Sequence, residues 1–103
     1  GSDGRKLNIN QYMNEHIYMF AGGNRRIKFR INKPMISDVL DVLGHDVTMR
    51  EDGDSVIVTA TVNEQAMIQY AKSFAPDVVV LEPEDIVQKI KDSLREAVSK
   101  YEQ

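Results

Sequence analysis

One segment of the chain alternates cationic and apolar residues in a way that could bind anions. Residues 26–31 read RIKFRI. Successive side chains of a β-strand point to opposite faces, so this order predicts a strand with one cationic and one apolar face. Arg26, Lys28 and Arg30 would together attract a phosphate or another anion. No acidic residue occurs within residues 25–33, so this charge is not opposed locally.

The charge of the whole chain does not favour general nucleic-acid binding. Its 103 residues carry 13 Lys and Arg against 16 Asp and Glu, a formal net charge of -3. Residues 1–33 hold seven of the basic residues and two of the acidic ones, so the rest of the chain is acidic. A cationic strand is also compatible with an ordinary solvated sheet face. Any anion-binding surface must be local to the following residues: Arg25, Arg26, Lys28, Arg30 and Lys33.

Catalysis and metal binding have little support in the sequence. His16 and His45 lie on separate predicted elements, without a Ser, Cys or carboxylate partner at a catalytic spacing. The chain contains no cysteine, which excludes thiolate ligands and thiolate nucleophiles. Asp52 and Asp54 resemble part of a calcium loop, but no Glu follows at the required distance and turn chemistry accounts for both. We therefore expect no enzyme activity, no metal and no cofactor.

Hydrophobic periodicity predicts the order β-α-β-β-α-β followed by a helix. The basic segment is the first strand, and Asn32 is expected to cap a helix over residues 33–43 with Pro34 in its first turn. Residues 47–50 and 55–62 are predicted strands joined through Asp-Gly, a strong hairpin signal. The remaining elements are a helix over residues 63–74, a strand over residues 78–81 and a closing helix that ends near residue 101.

This order is that of the ferredoxin-like split β-α-β fold, in which a four-stranded antiparallel sheet carries two helices on one face. We predict this α+β fold in a single domain. The first strand is central in this topology, so the three cations would lie on the open face, with Arg50 of the second strand nearby. Ile57, Thr59 and Thr61 are predicted to face the same way. Without outward aromatic residues, base stacking of the RNA-recognition type is disfavoured.

The closing stretch, residues 73–101, combines a short apolar strand with an amphipathic helix. Pro83 is expected in the first helical turn, where its missing N–H has no partner. Glu84 and Asp85 add negative charge at the positive end of the helix dipole. An apolar stripe at helical spacing is expected to pack on the sheet, and it comprises Ile86, Ile90, Leu94, Ala97, Val98 and Tyr101.

The N-terminal part of the chain predicts a short helix that needs a partner. Residues 7–20 can be capped by Asn8 and are followed by a Gly-Gly linker. A helix of this length is unstable alone, and it carries many apolar side chains. It can fold back on its own sheet or dock onto a neighbouring chain. We hypothesise the second, a homodimer in which Tyr12 and Phe20 anchor this segment, because aromatic side chains bury the most area.

These segments resemble the C-terminal extension (WCX) domain of WYL-domain transcriptional regulators. Asn8 replaces the family's usual Asp, and Ala75 replaces its common Gly. The resemblance divides the chain into a tag remnant (residues 1–4), a helical segment and linker from a preceding WYL domain (5–24) and the ferredoxin-like extension (25–103). The resembling stretches are LNINQYMNEHIYMFAGG, RIKFRI, VNEQAMIQYAKSFAPD and VLEPEDIVQKIKDSLREAVSKY.

The resemblance implies a cytoplasmic bacterial regulator that binds DNA through a helix-turn-helix outside this chain and has no membrane association. This domain would contribute to dimerisation and to sensing of an effector, either single-stranded nucleic acid or another anion. The contacts that we expect for such a ligand come from the strand pattern and not from the resemblance, and they are Arg26, Lys28, Arg30 and Arg50. The alternative is a free-standing ACT-like small-molecule-binding or dimerisation module. A Gly-rich turn after the first strand would favour that alternative. Residues 31–34 read INKP and contain no glycine.

Overall fold

The structure, a computed structural model, describes residues 23–37 and 46–103. The predicted N-terminal helix and residues 38–43 of the next predicted helix lie outside the described residues. None of the described helices is both long and apolar enough to cross a membrane. In chain order, the elements are β1 (Asn24–Asn32), a 3-10 turn (Lys33–Met35), β2 (Val47–Asp52), β3 (Ser55–Asn63), α1 (Glu64–Ser73), β4 (Val78–Glu82) and α2 (Glu84–Tyr101).

The four strands form one antiparallel sheet in the order β2-β3-β1-β4. β1 and β3 are central, and they pair in register from Asn24 opposite Asn63 to Asn32 opposite Ser55. β4 pairs with the other edge of β1, with a register shift between Lys28 and Phe29. This strand order, with α1 between β3 and β4 and α2 after β4, confirms the predicted α+β, ferredoxin-like fold.

The core lies between the sheet and the two helices because one face of each central strand is continuously apolar. In β1, Ile27, Phe29 and Ile31 are at most 1% exposed, as their alternation with basic residues predicts. α1 contributes Met67 and Tyr70, which are equally buried. The predicted apolar face of β1 is therefore confirmed.

The hairpin between β2 and β3 is confirmed at the predicted Asp-Gly sequence. Asp52 ends β2 and Ser55 begins β3, which leaves Gly53 and Asp54 as the loop. Gly53 has a φ of 63°. A two-residue loop with positive φ at its first position has the pattern of a type II′ turn, where glycine is favoured because it has no Cβ.

Local capping differs from the prediction at two positions. Asn32 precedes the 3-10 turn in extended backbone, but its side chain makes no capping hydrogen bond to that turn. Pro83 is the N-cap residue of α2 and not part of its first turn, because its ψ of 166° is extended. Its carbonyl accepts hydrogen bonds from the N–H groups of Ile86 and Val87, both at 3.1 Å. By contrast, the side chain of Asn63 caps α1 by accepting from the Ala66 N–H at 2.9 Å.

Only the first half of the α2 apolar stripe is buried. Ile86 and Ile90 are in the core, and Leu94 is partly buried against it. Val98 is 55% exposed and Tyr101 is 91% exposed. The expectation that the whole stripe packs on the sheet is therefore wrong for the last two turns. A helix of 18 residues is about 27 Å long, whereas the five residues of β4 span about 17 Å, so the helix is longer than the strand beside it.

Candidate anion-binding face

The predicted site residues share the sheet face opposite α1 and α2, which we call the outer face. The register of the sheet pairs Lys28 with Thr59, and pairs Ile57 with Arg30 on one side and Arg50 on the other. Arg26 lies further along β1 on the same face. Each of these residues alternates with a residue of the opposite face, so the predicted placement of the four cations is confirmed by the register.

Two of the four cations are held by carboxylates. The Arg26 Nη1 atom lies 3.1 Å from an oxygen of the Asp46 carboxylate and donates to the Asp46 backbone carbonyl at 3.0 Å. It also donates to the Thr61 hydroxyl at 3.3 Å. The Lys28 ammonium is 3.7 Å from the Glu82 carboxylate. The charges of Arg26 and Lys28 are therefore largely compensated by neighbouring groups.

Arg30 and Arg50 differ from those two cations. Among residues 23–37 and 46–103, neither forms an ion pair or a side-chain hydrogen bond. Both are paired with Ile57 of β3, so their Cα atoms are separated by two strand spacings, about 10 Å. Two guanidinium groups without an ionic partner in the described part of the chain thus lie on either side of one aliphatic side chain.

Ile57 is buried although it lies on the outer face. It is 6% exposed, whereas the sequence predicted that it faces away from the core. Its direction is as predicted, but its exposure is not. A residue in a central strand has side-chain neighbours on both adjoining strands, and here the sheet register makes those neighbours Arg30 and Arg50. Long basic side chains pack their aliphatic parts on apolar surface while their charged ends stay in water.

The remaining basic residues near β1 do not contribute free charge to the outer face. Lys33 is 2.9 Å from the Glu51 carboxylate. Arg25 lies one position from Arg26 and so points to the helix side of the sheet, where it binds Glu64 at 3.2 Å and Asp85 at 2.6 Å. Four members of the predicted five-residue cationic surface thus have a carboxylate partner, whereas Arg30 and Arg50 have none among the described residues.

Arg25, Glu64, Asp85 and Lys89 form an ion-pair cluster at the starts of β1, α1 and α2, which we call the helix-start cluster. Lys89 contacts Glu64 at 2.7 Å. Hydrogen bonds from Lys89 and then Arg25 lower the pKa of Glu64 below its ordinary value of 4.5. The hydrogen bonds from Arg25 likewise lower the pKa of Asp85, and those carboxylates raise the pKa of Arg25. The cluster therefore joins both helix N-termini to the first residues of the sheet.

The helix-start cluster predicts a pH-dependent contribution to stability. We expect Glu64→Gln to lower the free energy of unfolding at pH 7 by about 1 kcal/mol, because two ion pairs to a mostly buried carboxylate are lost. The folded-state pKa of Glu64 is depressed, so its contribution is complete above the ordinary pKa of 4.5 and disappears as the pH falls through the lower folded value.

Urea unfolding at pH 7, 4.5 and 3 measures this difference. The difference in free energy of unfolding between the wild type and Glu64→Gln should decrease steadily on acidification. The control Glu102→Gln, which removes a carboxylate from the exposed end of α2, should show no comparable difference from the wild type. A difference in free energy of unfolding that stays constant from pH 7 to pH 3 would rule out ionisation of Glu64 as its cause.

The predicted dimer contacts Tyr12 and Phe20 lie outside the described residues, so the homodimer stays a prediction. In the described part of the chain, no group of three or more His, Cys, Asp or Glu residues is arranged to hold a metal ion. The arginine side chains of the outer face are hydrogen-bond donors with fixed positive charge. Such groups bind and orient anions, and they are poorly suited to proton transfer.

Comparison with known protein families identifies a match. A family model for the WCX domain matches residues 23–98, which include the whole sheet, α1 and most of α2. No curated protein and no solved structure matches the chain.

Proposed function

The chain belongs to the WCX domain family, and we propose from this membership and its outer face that it is the C-terminal regulatory domain of a WYL-type transcriptional regulator. WCX is a regulatory domain family and not an enzymatic one. In this proposal the WYL domain and a DNA-binding helix-turn-helix belong to other parts of a longer protein. The WCX domain contributes effector sensing and association of two protomers, and it has no catalytic role.

The effector that we propose is an anion, with single-stranded nucleic acid as the form to test first. The observation that carries this proposal is the pair Arg30 and Arg50 on either side of Ile57, which form no ion pair with any described residue. Guanidinium groups bind phosphate oxygens through paired N–H donors, and two arginines whose Cα atoms are about 10 Å apart can engage separate phosphates of one strand. Ile57 offers no ring for base stacking, so this contact would read the backbone and not the sequence.

The ion pairs on the outer face distinguish two of the four proposed contacts from the other two. A phosphate that approaches Arg26 or Lys28 also meets the carboxylate of Asp46 or Glu82, which repels it. Arg30 and Arg50 have no such carboxylate among the described residues. Of the four proposed contacts, these two should therefore provide most of the binding free energy.

This proposal predicts that Arg30→Gln/Arg50→Gln lowers the affinity for a short oligothymidylate by about tenfold or more at low salt. Losing two phosphate contacts from a single strand should also reduce the slope of log K against log salt by about 1.4. Binding to the 103-residue chain is measured by amide chemical-shift changes, which detect weak complexes, with the largest changes expected at Arg30, Ile57 and Arg50.

The matched control is Arg95→Gln/Lys100→Gln, which removes the same charge from exposed positions of α2. This control should keep the affinity for the oligonucleotide within about twofold of the wild-type value, because exposed charges far from the binding site act weakly through screening solvent. An equal loss in both variants would mean that net charge alone governs binding. If the amide chemical-shift changes cluster away from Arg30, Ile57 and Arg50, these residues do not form the binding site.

We also propose that the domain associates as a homodimer, with residues 7–20 contributing Tyr12 and Phe20 to the contact. The family match supports the WCX assignment over the ACT-like alternative, because it extends from β1 through most of α2. An ACT-like module remains the second candidate only for its shared sheet architecture.

A further inference from the structure

The side of the domain formed by α2 and β4 carries a groove that the proposed effector site does not use. It has a volume of about 360 Å³ and opens between the end of α1, β4 and the middle of α2. Its walls are almost entirely aliphatic, and among the described residues Lys91 is the one charged residue that lines it. The small side chains of Ala71 and Ala75 leave this space open. The principal wall residues are Val78, Val80, Val87, Ile90 and Leu94.

The same helix presents an exposed apolar group beyond the groove. Val98 and Tyr101 continue the stripe of Leu94 at helical spacing, yet they are 55% and 91% exposed. Lys91, Leu94, Val98 and Tyr101 follow one another at intervals of three, four and three residues, which places them along one side of the helix. The chain thus carries an apolar groove and an exposed aromatic side chain on one continuous surface.

We propose that a second copy of this chain occupies the groove, with Tyr101 of each copy inserted beside Lys91 of the other. This inference rests on the homodimer in the proposed function and assigns it a surface. A tyrosine matches the groove because its ring is apolar and its hydroxyl oxygen can accept a hydrogen bond from the Lys91 ammonium at the rim. A purely aliphatic occupant would leave Lys91 partly desolvated without a partner.

The positions of these residues along α2 fit a two-fold axis. Lys91 and Tyr101 are about 15 Å apart along the helix. If two α2 helices pack antiparallel with the axis at the level of Glu96, each Tyr101 reaches the Lys91 of the other helix. The same alignment brings each Leu94 opposite Val98, so every contact occurs twice, as a closed two-fold interface requires.

The arrangement is also compatible with the proposed contact of residues 7–20. With the two-fold axis at the level of Glu96, the end of one α2 lies beside Lys91 of the other, about 9 Å along the helix from Asp85. The first turn of α2 is joined to β1 through Arg25 and Asp85, next to the point where residues 1–22 enter the sheet. A tyrosine buries about 150–250 Å², and a stable interface needs roughly 1,000 Å² or more, so the N-terminal segments would add to the area supplied by α2.

Disulfide capture tests this geometry directly, because the chain has no cysteine. The Leu94→Cys chain and the Val98→Cys chain, mixed in equal amounts, retain Tyr101 and Lys91 and carry thiols at two positions that the two-fold alignment brings opposite each other. Because disulfides require Cα atoms within about 7 Å, mild oxidation should link position 94 of one chain to position 98 of the other. The positional control, Leu94→Cys mixed with Lys100→Cys, whose thiol lies off the stripe, should give little mixed covalent dimer under the same conditions.

Analytical ultracentrifugation of the 103-residue chain supplies the equilibrium test. Tyr101→Ala should weaken the dimer by about 100-fold or more, because each dimer loses two anchoring aromatic side chains. Tyr101→Phe should weaken it less and should abolish any further effect of Lys91→Gln. Lys100→Gln should leave the dimer unchanged, and amide spectra of each variant check that the monomer fold is retained.

The possible outcomes separate the inference from the proposal on which it rests. A wild-type chain that stays monomeric at high concentration would refute the proposed homodimer and this interface with it. A dimer that survives Tyr101→Ala but is lost on deletion of residues 1–22 would refute the α2 interface and leave the homodimer in place. A dimer that survives both changes would also refute the α2 interface.

Discussion

Phe29→Ala is expected to lower the free energy of unfolding by about 3–5 kcal/mol, more than any other single substitution in this domain for which we predict a stability change. Phe29 is 1% exposed at the centre of β1, where it pairs with Val58 on one side and Val80 on the other. Removing the ring leaves a cavity between two strands that cannot close without shifting the sheet. Urea unfolding followed by circular dichroism measures the change.

The neighbouring residue provides the control for this prediction. Arg30→Ala lies one position away on the outer face, and its effect on stability should stay within about 0.5 kcal/mol. If both substitutions cost the same, β1 does not have one core face and one solvent face. If Arg30→Ala is nearly neutral, loss of anion binding in Arg30 variants cannot be attributed to unfolding.

Ile86→Ala is expected to have the second large effect, lowering the free energy of unfolding by about 2–5 kcal/mol. Ile86 lies in the first turn of α2 and is fully buried, so it holds the helix on the sheet. Val98→Ala shortens a side chain on the same stripe that is 55% exposed, and it should change the stability by less than about 0.5 kcal/mol.

Both variants should be melted at concentrations where the wild type is monomeric, because Val98 is also part of the proposed dimer surface. Equal costs at the two positions would contradict the conclusion that α2 is packed only along its first half. A large cost for Val98→Ala that appears only at high protein concentration would instead support its contribution to self-association.

Much of the fold follows from patterns that are local in the sequence. The alternation in residues 26–31 determines which side chains of β1 are buried, because strand periodicity depends only on the backbone. Asp-Gly marks the hairpin, since the turn requires a residue that accepts positive φ. The helical spacing of Ile86 and Ile90 identifies the packed face of α2. These features need no knowledge of distant residues, and the structure confirms each of them.

Capping and exposure depended on more than the local pattern. Asn32 and Asn63 are equivalent by residue type, yet only Asn63 caps the element that follows it with its side chain. The sequence could not distinguish them because either backbone is compatible with a capping residue. Likewise, the apolar stripe of α2 continues through Tyr101, but burial stops near Leu94, where the underlying strand is too short to cover it.

The sequence alone establishes that Arg26, Lys28 and Arg30 share one sheet face, because residues two positions apart in a β-strand point to the same side. The tertiary structure alone determines which of these cations have a carboxylate partner among the described residues. Asp46 and Glu82 neutralise Arg26 and Lys28 from positions remote in the sequence, and Arg50 joins Arg30 through the register with β3. The physical reason is that side-chain direction follows local backbone geometry, whereas electrostatic compensation depends on distances between atoms that only the assembled sheet brings together.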